Sequence, residues 1–313
     1  MKSPSAVREA NAADQFSHSG LARAPRTIRR VIVYLNGRFL PREDAKISPE
    51  DRGFLFADAI YEVVRFAAGR PYRLAEHLVR MRHGLTALQI AVEPGFFPEV
   101  AVRLLEENRL GRDDALVYAQ VSRGAAPRSH AFPPAGTPPT VFAFARLTDP
   151  PPPPEGGRAI LAPDERWGRC DVKTVMLLPN VLASQRAREA DAIEAILVRD
   201  GIAWEGTKSN LFAVSGGVLR TAPKGPRILP GVTRAAALEA ASGLGFRIEE
   251  RPVAVEELFS CDEVFLASTT LWTYSLVEID GRVIGNGRPG PVAVRIREAL
   301  EMEFRGARVG LTT

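Results

Sequence analysis

Arg169-Cys170-Asp171-Val172-Lys173-Thr174 runs directly into Val175-Met176-Leu177-Leu178, so one lysine stands between an aspartate and an apolar wall. Burial beside apolar surface disfavours the charged form of a lysine and frees its amine to attack a carbonyl carbon and form a Schiff base. The plainer reading is a solvated surface charge, and this segment alone does not separate the two. The decision rests on whether the rest of the chain supplies something for the amine to hold.

Working outward, the chain of 313 residues is 45% hydrophobic and 25% charged, which suits a soluble globular protein of two domains. The clearest punctuation is Asp149, the five prolines 150–154, and Glu155-Gly156-Gly157. Consecutive prolines make a stiff extended connector, so residues 148–157 are expected to be a linker between a small N-terminal domain, 31–147, and a larger one, 158–313. A peptide for a proline-binding partner is the other use of such a run, but a linker needs no partner.

The net charge of +4 suggests nucleic acid until it is located. Residues 1–30 hold six basic residues and only Glu9 and Asp14 as acids, which leaves the remainder with 35 of each sign. A neutral body excludes a phosphate-backbone binder. The tail, rich in Ala, Ser and Arg without periodicity, reads as disordered; a transit peptide fits less well because of its acids. No apolar run is long enough to span a bilayer and no secretory signal is evident, so the expectation is a cytoplasmic protein without membrane partners. Cys170 and Cys261 lie far apart without metal-ligand spacing, which predicts two free thiols and no metal.

Val31–Leu35, Asn36-Gly37 and Arg38–Leu40 read as a strand, a tight turn and a second strand. Ile60–Phe66 alternates as a half-buried strand, placing Tyr61, Val63 and Arg65 on one face. Leu74, Leu78, Met81, Leu85 and Leu88 form a helical stripe, with Arg80 beside it and one turn from Glu76. A second helix is predicted over 98–108, and strands over 116–122 and 140–147, with a loop at Arg123–His130 between them. Beyond the prolines, strands are expected at 159–162, 194–199, 211–214, 218–221, 247–253, 263–267 and 275–279, and helices at 181–190, 233–244 and 292–304.

Three features could do chemistry with Lys173. Gly231-Val232-Thr233-Arg234 opens a helix, whose free N–H groups and positive dipole end suit a phosphate; a plain threonine cap is the commoner use of such a sequence. Ser268-Thr269-Thr270 follows an apolar strand and gathers hydroxyls at its end, as does an ordinary turn. Glu205 lies where a strand gives way to Gly206; buried, it would need a cationic partner, and exposed it would be a turn residue. A Schiff-base lysine, a phosphate cup and a lone carboxylate are together what pyridoxal 5′-phosphate requires, the carboxylate keeping the pyridine nitrogen protonated so that the ring acts as an electron sink.

Arg-Cys-Asp-Val-Lys-Thr (169–174), Glu-Gly-Thr-Lys-Ser-Asn (205–210), Leu-Pro-Gly-Val-Thr-Arg (229–234) and Ala-Ser-Thr-Thr (267–270) resemble, in order and spacing, the class IV pyridoxal-phosphate aminotransferases of fold type IV, over nearly all of 34–304. That resemblance implies an α+β fold, with a small N-terminal α/β domain and a larger, mixed, β-barrel-like domain with helices. It implies Lys173 as the Schiff-base and proton-transfer residue, Glu205 at the pyridine nitrogen, and Arg80, Val232, Thr233 and Thr269 on the phosphate, with Ser268 close by. Pro127-Arg128-Ser129-His130 is similar to the loop that in D-amino-acid transaminases reaches across a homodimer interface to the substrate α-carboxylate, together with Tyr61. An arginine fork suits that carboxylate, and fixing it decides which enantiomer reacts.

The expected reaction is transfer of an amino group from a D-amino acid to a 2-oxo acid such as 2-oxoglutarate or pyruvate. Branched-chain L-amino-acid transamination, aminodeoxychorismate lysis and a catalytically silent scaffold are the rivals. Four positions depart from the family pattern: Ala57 and Ala59 flank Asp58 where glycines are familiar, Arg65 replaces a lysine, and Lys208 replaces a small hydroxyl residue.

Overall fold

The computed structural model describes residues 30–149, 152 and 154–306. The tail reading and the central prolines 150, 151 and 153 lie outside the described residues. Two sheets are drawn from the two sides of the proline run.

The first sheet contains β1 (Ile32–Leu35), β2 (Arg38–Pro41), β3 (Ala59–Ala67), β4 (Arg70–Pro71), β5 (Asp114–Ser122) and β6 (Thr140–Leu147), in the order β2-β1-β6-β5-β3-β4 with antiparallel neighbours. Three helices accompany it: α1 (Arg52–Phe56), α2 (Leu74–Ala87) and α3 (Phe97–Glu107). Val64, Phe66, Met81, Leu85, Leu104 and Val117 share its core. The short α1 is not among the elements that the sequence predicts; Asp51 caps it by accepting from the Gly53 N–H, the usual role of an aspartate at that position.

The second sheet contains β7 (Gly157–Pro163), β8 (Glu194–Arg199), β9 (Ile202–Gly206), β10 (Asn210–Ser215), β11 (Val218–Thr221), β12 (Arg247–Glu250), β13 (Val253–Ala254), β14 (Glu263–Ser268), β15 (Trp272–Ile279) and β16 (Arg282–Val283). Six of these strands follow one another as β10-β14-β15-β7-β8-β9, and the Asn210↔Glu205 pairing of β10 with β9 closes them into a barrel. Its helices are α4 (Leu178–Glu189), α5 (Val232–Gly243), α6 (Val255–Leu258) and α7 (Pro291–Arg305).

One expectation needs correction here. The predicted strand 247–253 is two strands: β12 pairs in parallel with β11, whereas β13 pairs with β9. Pro252 lacks the N–H that a continuous ladder needs, and the chain changes partner there. β9 is the strand that gives way to a turn at Gly206, to which the sequence gives no bounds; Asp200 and Gly201 before it take positive φ, 55° and 73°, as a tight hairpin turn demands. We propose that the proline run separates two domains, each with its own sheet, although the described residues from Val31 onward form one compact unit. Among the described residues no helix is long and apolar enough to cross a membrane.

Candidate active site

Lys173 is held by main-chain bonds before its side chain does anything. The Tyr61 N–H donates to the Lys173 carbonyl (3.0 Å), Val175 N–H donates to Ala59, and Ile60 bridges Thr174, so the lysine segment is stitched along the start of β3. Its flanks Val172 and Thr174 are buried and Lys173 is half-buried. The ammonium lies 4.2 Å from the centre of the Tyr61 ring, and among the described residues it has no carboxylate partner. The surface-charge reading of Lys173 therefore fails.

Glu205 is 3% exposed, which overturns the exposed-turn reading. Its carboxylate accepts from Arg166, from Asn210 Nδ2 (2.9 Å) and from the Leu229 N–H (3.1 Å to each oxygen). Burial pushes its pKa up to about 7, against the lowering influence of Arg166 and the Leu229 N–H. Arg166 divides its guanidinium between Glu205 and the buried Asp164, so neither acid has it alone. Gly231 completes the arrangement: a Cβ there would stand 2.1 Å from Asn210 Oδ1, and would displace the amide that holds Glu205.

Gly231 is also the N-cap of α5, with no side-chain acceptor for the first-turn N–H groups. Thr233 is thus not the cap that the sequence suggested but a buried residue of the first turn, beside buried Val232. Ser268 ends β14, where its hydroxyl accepts from Leu271 N–H (3.2 Å). These groups meet in one cleft that is partly open to solvent. Lys173, Tyr61, Arg80, Glu205, Val232, Thr233, Ser268 and Thr269 all line it.

Arg128 and His130 do not. Both are exposed on their loop and lie against Phe56, with the Arg128 guanidinium 5.2 Å and the His130 ring 5.6 Å from its centre.

The sequence matches the family described as amino-transferase class IV over residues 59–278. The chain belongs to the class IV aminotransferases. This aminotransferase is 40% identical to the D-alanine aminotransferase of Bacillus licheniformis over 86% of its own length and 95% of the relative's. It is 37% identical to that of Staphylococcus epidermidis, with 86% and 96% covered. The branched-chain amino acid aminotransferase of Escherichia coli has a similar structure, with a TM-score of 0.81 at 25% identity, covering 91% of this chain and 98% of that one. So does the T.th. branched-chain amino acid aminotransferase with pyridoxamine 5′-phosphate, at 0.80 and 27%, covering 90% and 97%.

Enzymes of this class depend on pyridoxal 5′-phosphate, and the cleft of this aminotransferase suits it. An uncapped helix N-terminus with hydroxyls beside it fits a phosphate, an unpaired lysine fits an aldehyde, and a buried carboxylate fits a protonated ring nitrogen. The class also fixes its reactants as amino acids and 2-oxo acids.

Arg80 departs most from its sequence setting. In place of Glu76 it is paired with Glu62 of β3 through Nε (2.6 Å) and Nη2 (2.8 Å), while Nη1 donates to the Pro230 carbonyl (3.2 Å). His77 Nδ1 lies 2.9 Å from the same carboxylate. The buried face of α2 is consequently His77, Arg80, Met81, Gly84 and Leu85, rotated from the leucine stripe toward the ion pair. Burial opposes the charge on Glu62, but the charge and hydrogen bonds of Arg80, and then those of His77, hold its carboxyl well below the ordinary value of 4.5.

A lowered folded-state pKa contributes stability that is present above the unfolded value and is lost as pH falls below it. Glu62→Gln should therefore destabilise the apoprotein by about 3–5 kcal/mol at neutral pH, by leaving Arg80 buried without its counter-charge. The deficit should shrink as pH drops below about 4.5. Urea unfolding at several pH values measures both, and an equal deficit at low pH would contradict the ion-pair account.

Sequence reasoning missed Arg166, Asp164 and Asn210. Asn210 stood inside a motif already singled out, and the need of a buried Glu205 for a cation pointed to an arginine without saying which. Arg166 is 39 residues away from Glu205, and only the parallel β7–β8 pairing and the β8–β9 hairpin bring the two together.

Proposed function

We propose that the chain is a D-amino-acid transaminase in which Lys173 would hold pyridoxal 5′-phosphate covalently and Lys173 Nζ would take up and return the substrate Cα proton. The observation that carries the reading is the convergence of Lys173, Glu205 and the hydroxyl and N–H groups around Thr233 and Thr269 in one cleft. The cofactor supplies an aldehyde for the amino group and a ring that accommodates negative charge developed at Cα. Glu205 would hold the ring nitrogen and keep its proton in place. Arg80, Val232, Thr233, Ser268 and Thr269 would hold the phosphate end, and Tyr61 would border the substrate.

The D-specific part is supported by the relatives named D-alanine aminotransferase, at up to 40% identity over nearly their whole length. The structures named branched-chain aminotransferase are similar at 25–27% identity, and support that alternative less. Arg128 and His130 lie outside their own chain's cleft, which suits a homodimer in which each loop serves the partner's substrate carboxylate. Leu178, Val181 and Leu182, one face of the start of α4, are 67%, 56% and 48% exposed and give a pairing surface its apolar content. A cytoplasmic setting accords with two buried free thiols, Cys170 and Cys261.

The test is an assay of purified protein against paired D- and L-amino acids with pyruvate or 2-oxoglutarate. D-Alanine is expected to be consumed at least about 100-fold faster than L-alanine, the discrimination of about 3 kcal/mol that a lost charge-assisted carboxylate contact provides. The active preparation should sediment as a dimer. Preference for L-leucine or L-valine would replace this reading with the branched-chain one, and pyruvate release from aminodeoxychorismate without an acceptor would replace it with the lyase.

A further inference from the structure

Four cations line the cleft: Lys173, Arg80, Arg166 and Lys208. Arg80 is committed to Glu62, and Arg166 to Asp164 and Glu205. Lys173 is taken up by the covalent role already assigned. Lys208 remains, exposed at the rim, with no hydrogen bond or ion pair of its own among the described residues. Asp149 lies within range of its charge, but the Asp149 carboxylate is already held by both Nη atoms of Arg146 at 2.9 Å.

The placement of Lys208 is fixed although its side chain is exposed. On one side of it the Thr207 N–H and hydroxyl donate to Glu194 Oε1, and on the other the Ser209 hydroxyl donates to Glu194 Oε2 (3.0 Å). The Gly206 N–H closes the turn onto the Ser209 carbonyl (2.8 Å), and Asn180 Nδ2 ties the Thr207 carbonyl to α4 (2.7 Å). Gly206 permits this tightness, since a Cβ there would be 2.4 Å from Ser209 Oγ. A rigid turn whose neighbours on both sides are clamped to one buried carboxylate presents its single long cationic side chain at the mouth of the cleft.

We propose that Lys208 is a specificity residue that receives the side-chain carboxylate of dicarboxylic substrates, favouring acceptors of the 2-oxoglutarate class over monocarboxylic ones such as pyruvate. The inference rests on the cleft being the amino-acid site but not on the enantiomer of the donor. A partner of the opposite charge is what an uncompensated ammonium carried on a fixed turn selects, and a second carboxylate distinguishes these acceptors from pyruvate.

The experiment converts the holoenzyme to its amino form and compares the two acceptors in that half-reaction alone, so its outcome is independent of whether D- or L-amino acids are the donors. For Lys208→Met the ratio of kcat/KM for 2-oxoglutarate to that for pyruvate should fall about 10-fold or more, the size of one charge-assisted hydrogen bond, mainly through KM. Lys208→Arg should keep the ratio within about threefold, since it retains the cation. Calorimetry with unreactive glutarate and butyrate supplies a readout besides turnover: Lys208→Met should weaken glutarate binding about 10-fold relative to butyrate. An unchanged ratio with unchanged glutarate binding overturns the proposal. Equal losses for both acceptors overturn it too, by placing Lys208 on a feature common to all substrates.

Discussion

Lys173→Ala should reduce transamination by more than about 10⁴-fold, and the purified variant should lack the visible absorbance of covalently held pyridoxal phosphate. The size follows from the position rather than from the residue type alone. Among the described residues no second lysine lines the deep part of the cleft; Lys208 stands at its rim and is exposed. Removing the Lys173 amine deletes both the covalent anchor and the base that carries the Cα proton, so no neighbour substitutes. The backbone is unaffected, because the segment is held to β3 by main-chain bonds that an alanine retains. Thermal unfolding of the apoprotein should therefore match the parent within about 1 kcal/mol. Full activity in this variant would sink the assignment of Lys173, and lost activity accompanied by gross unfolding would show a structural role instead.

How much of this was legible in the sequence depended on how local each feature is. Lys173 and its apolar neighbours are contiguous, and so are Gly231-Val232-Thr233 and Ser268-Thr269; each motif carries its own chemistry and the structure brings all three to one cleft. The alternation of Ile60–Phe66 was readable and places Glu62 on the buried face, yet nothing local says that a buried glutamate on β3 takes Arg80 away from Glu76. A stripe of leucines predicts the buried face of a helix only when no stronger pairing rotates it, and here the ion pair with Glu62 did so.

The closing of the barrel was the least legible step. It depends on a single pairing, Asn210↔Glu205, between a five-residue strand and its neighbour across a tight turn. That pairing also places the carboxylate, so the fold and the site share the same two residues. Arg128 and His130 show the opposite limit: their motif was readable, but one chain alone does not place them in its own cleft.

Glu205→Gln should lower transamination by about 10²–10³-fold, through kcat more than KM, because an amide cannot sustain a proton on the cofactor's ring nitrogen. The same substitution makes a separate prediction about stability, with the sign set by burial. In the apoprotein the Glu205 carboxyl titrates at about 7 when folded, against an ordinary value of 4.5. Between those values the folded state binds the extra proton, so rising pH weakens the fold, and the penalty levels off above about pH 7. At 1.36 kcal/mol per pKa unit, moving from about pH 5 to about pH 8 should cost wild-type apoprotein about 2–3 kcal/mol relative to Glu205→Gln. Other titrating groups cancel in that difference. Arg166 keeps Asp164 in both proteins, so the variant does not strand a buried guanidinium. Cofactor should remove the penalty in the wild type alone, since a protonated ring nitrogen gives the ionised carboxylate a second cation. The measurement is denaturant unfolding of both proteins at the two pH values, with and without pyridoxal phosphate. A pH-independent difference would mean that Glu205 is already ionised in the apoprotein and that Arg166 serves it rather than Asp164.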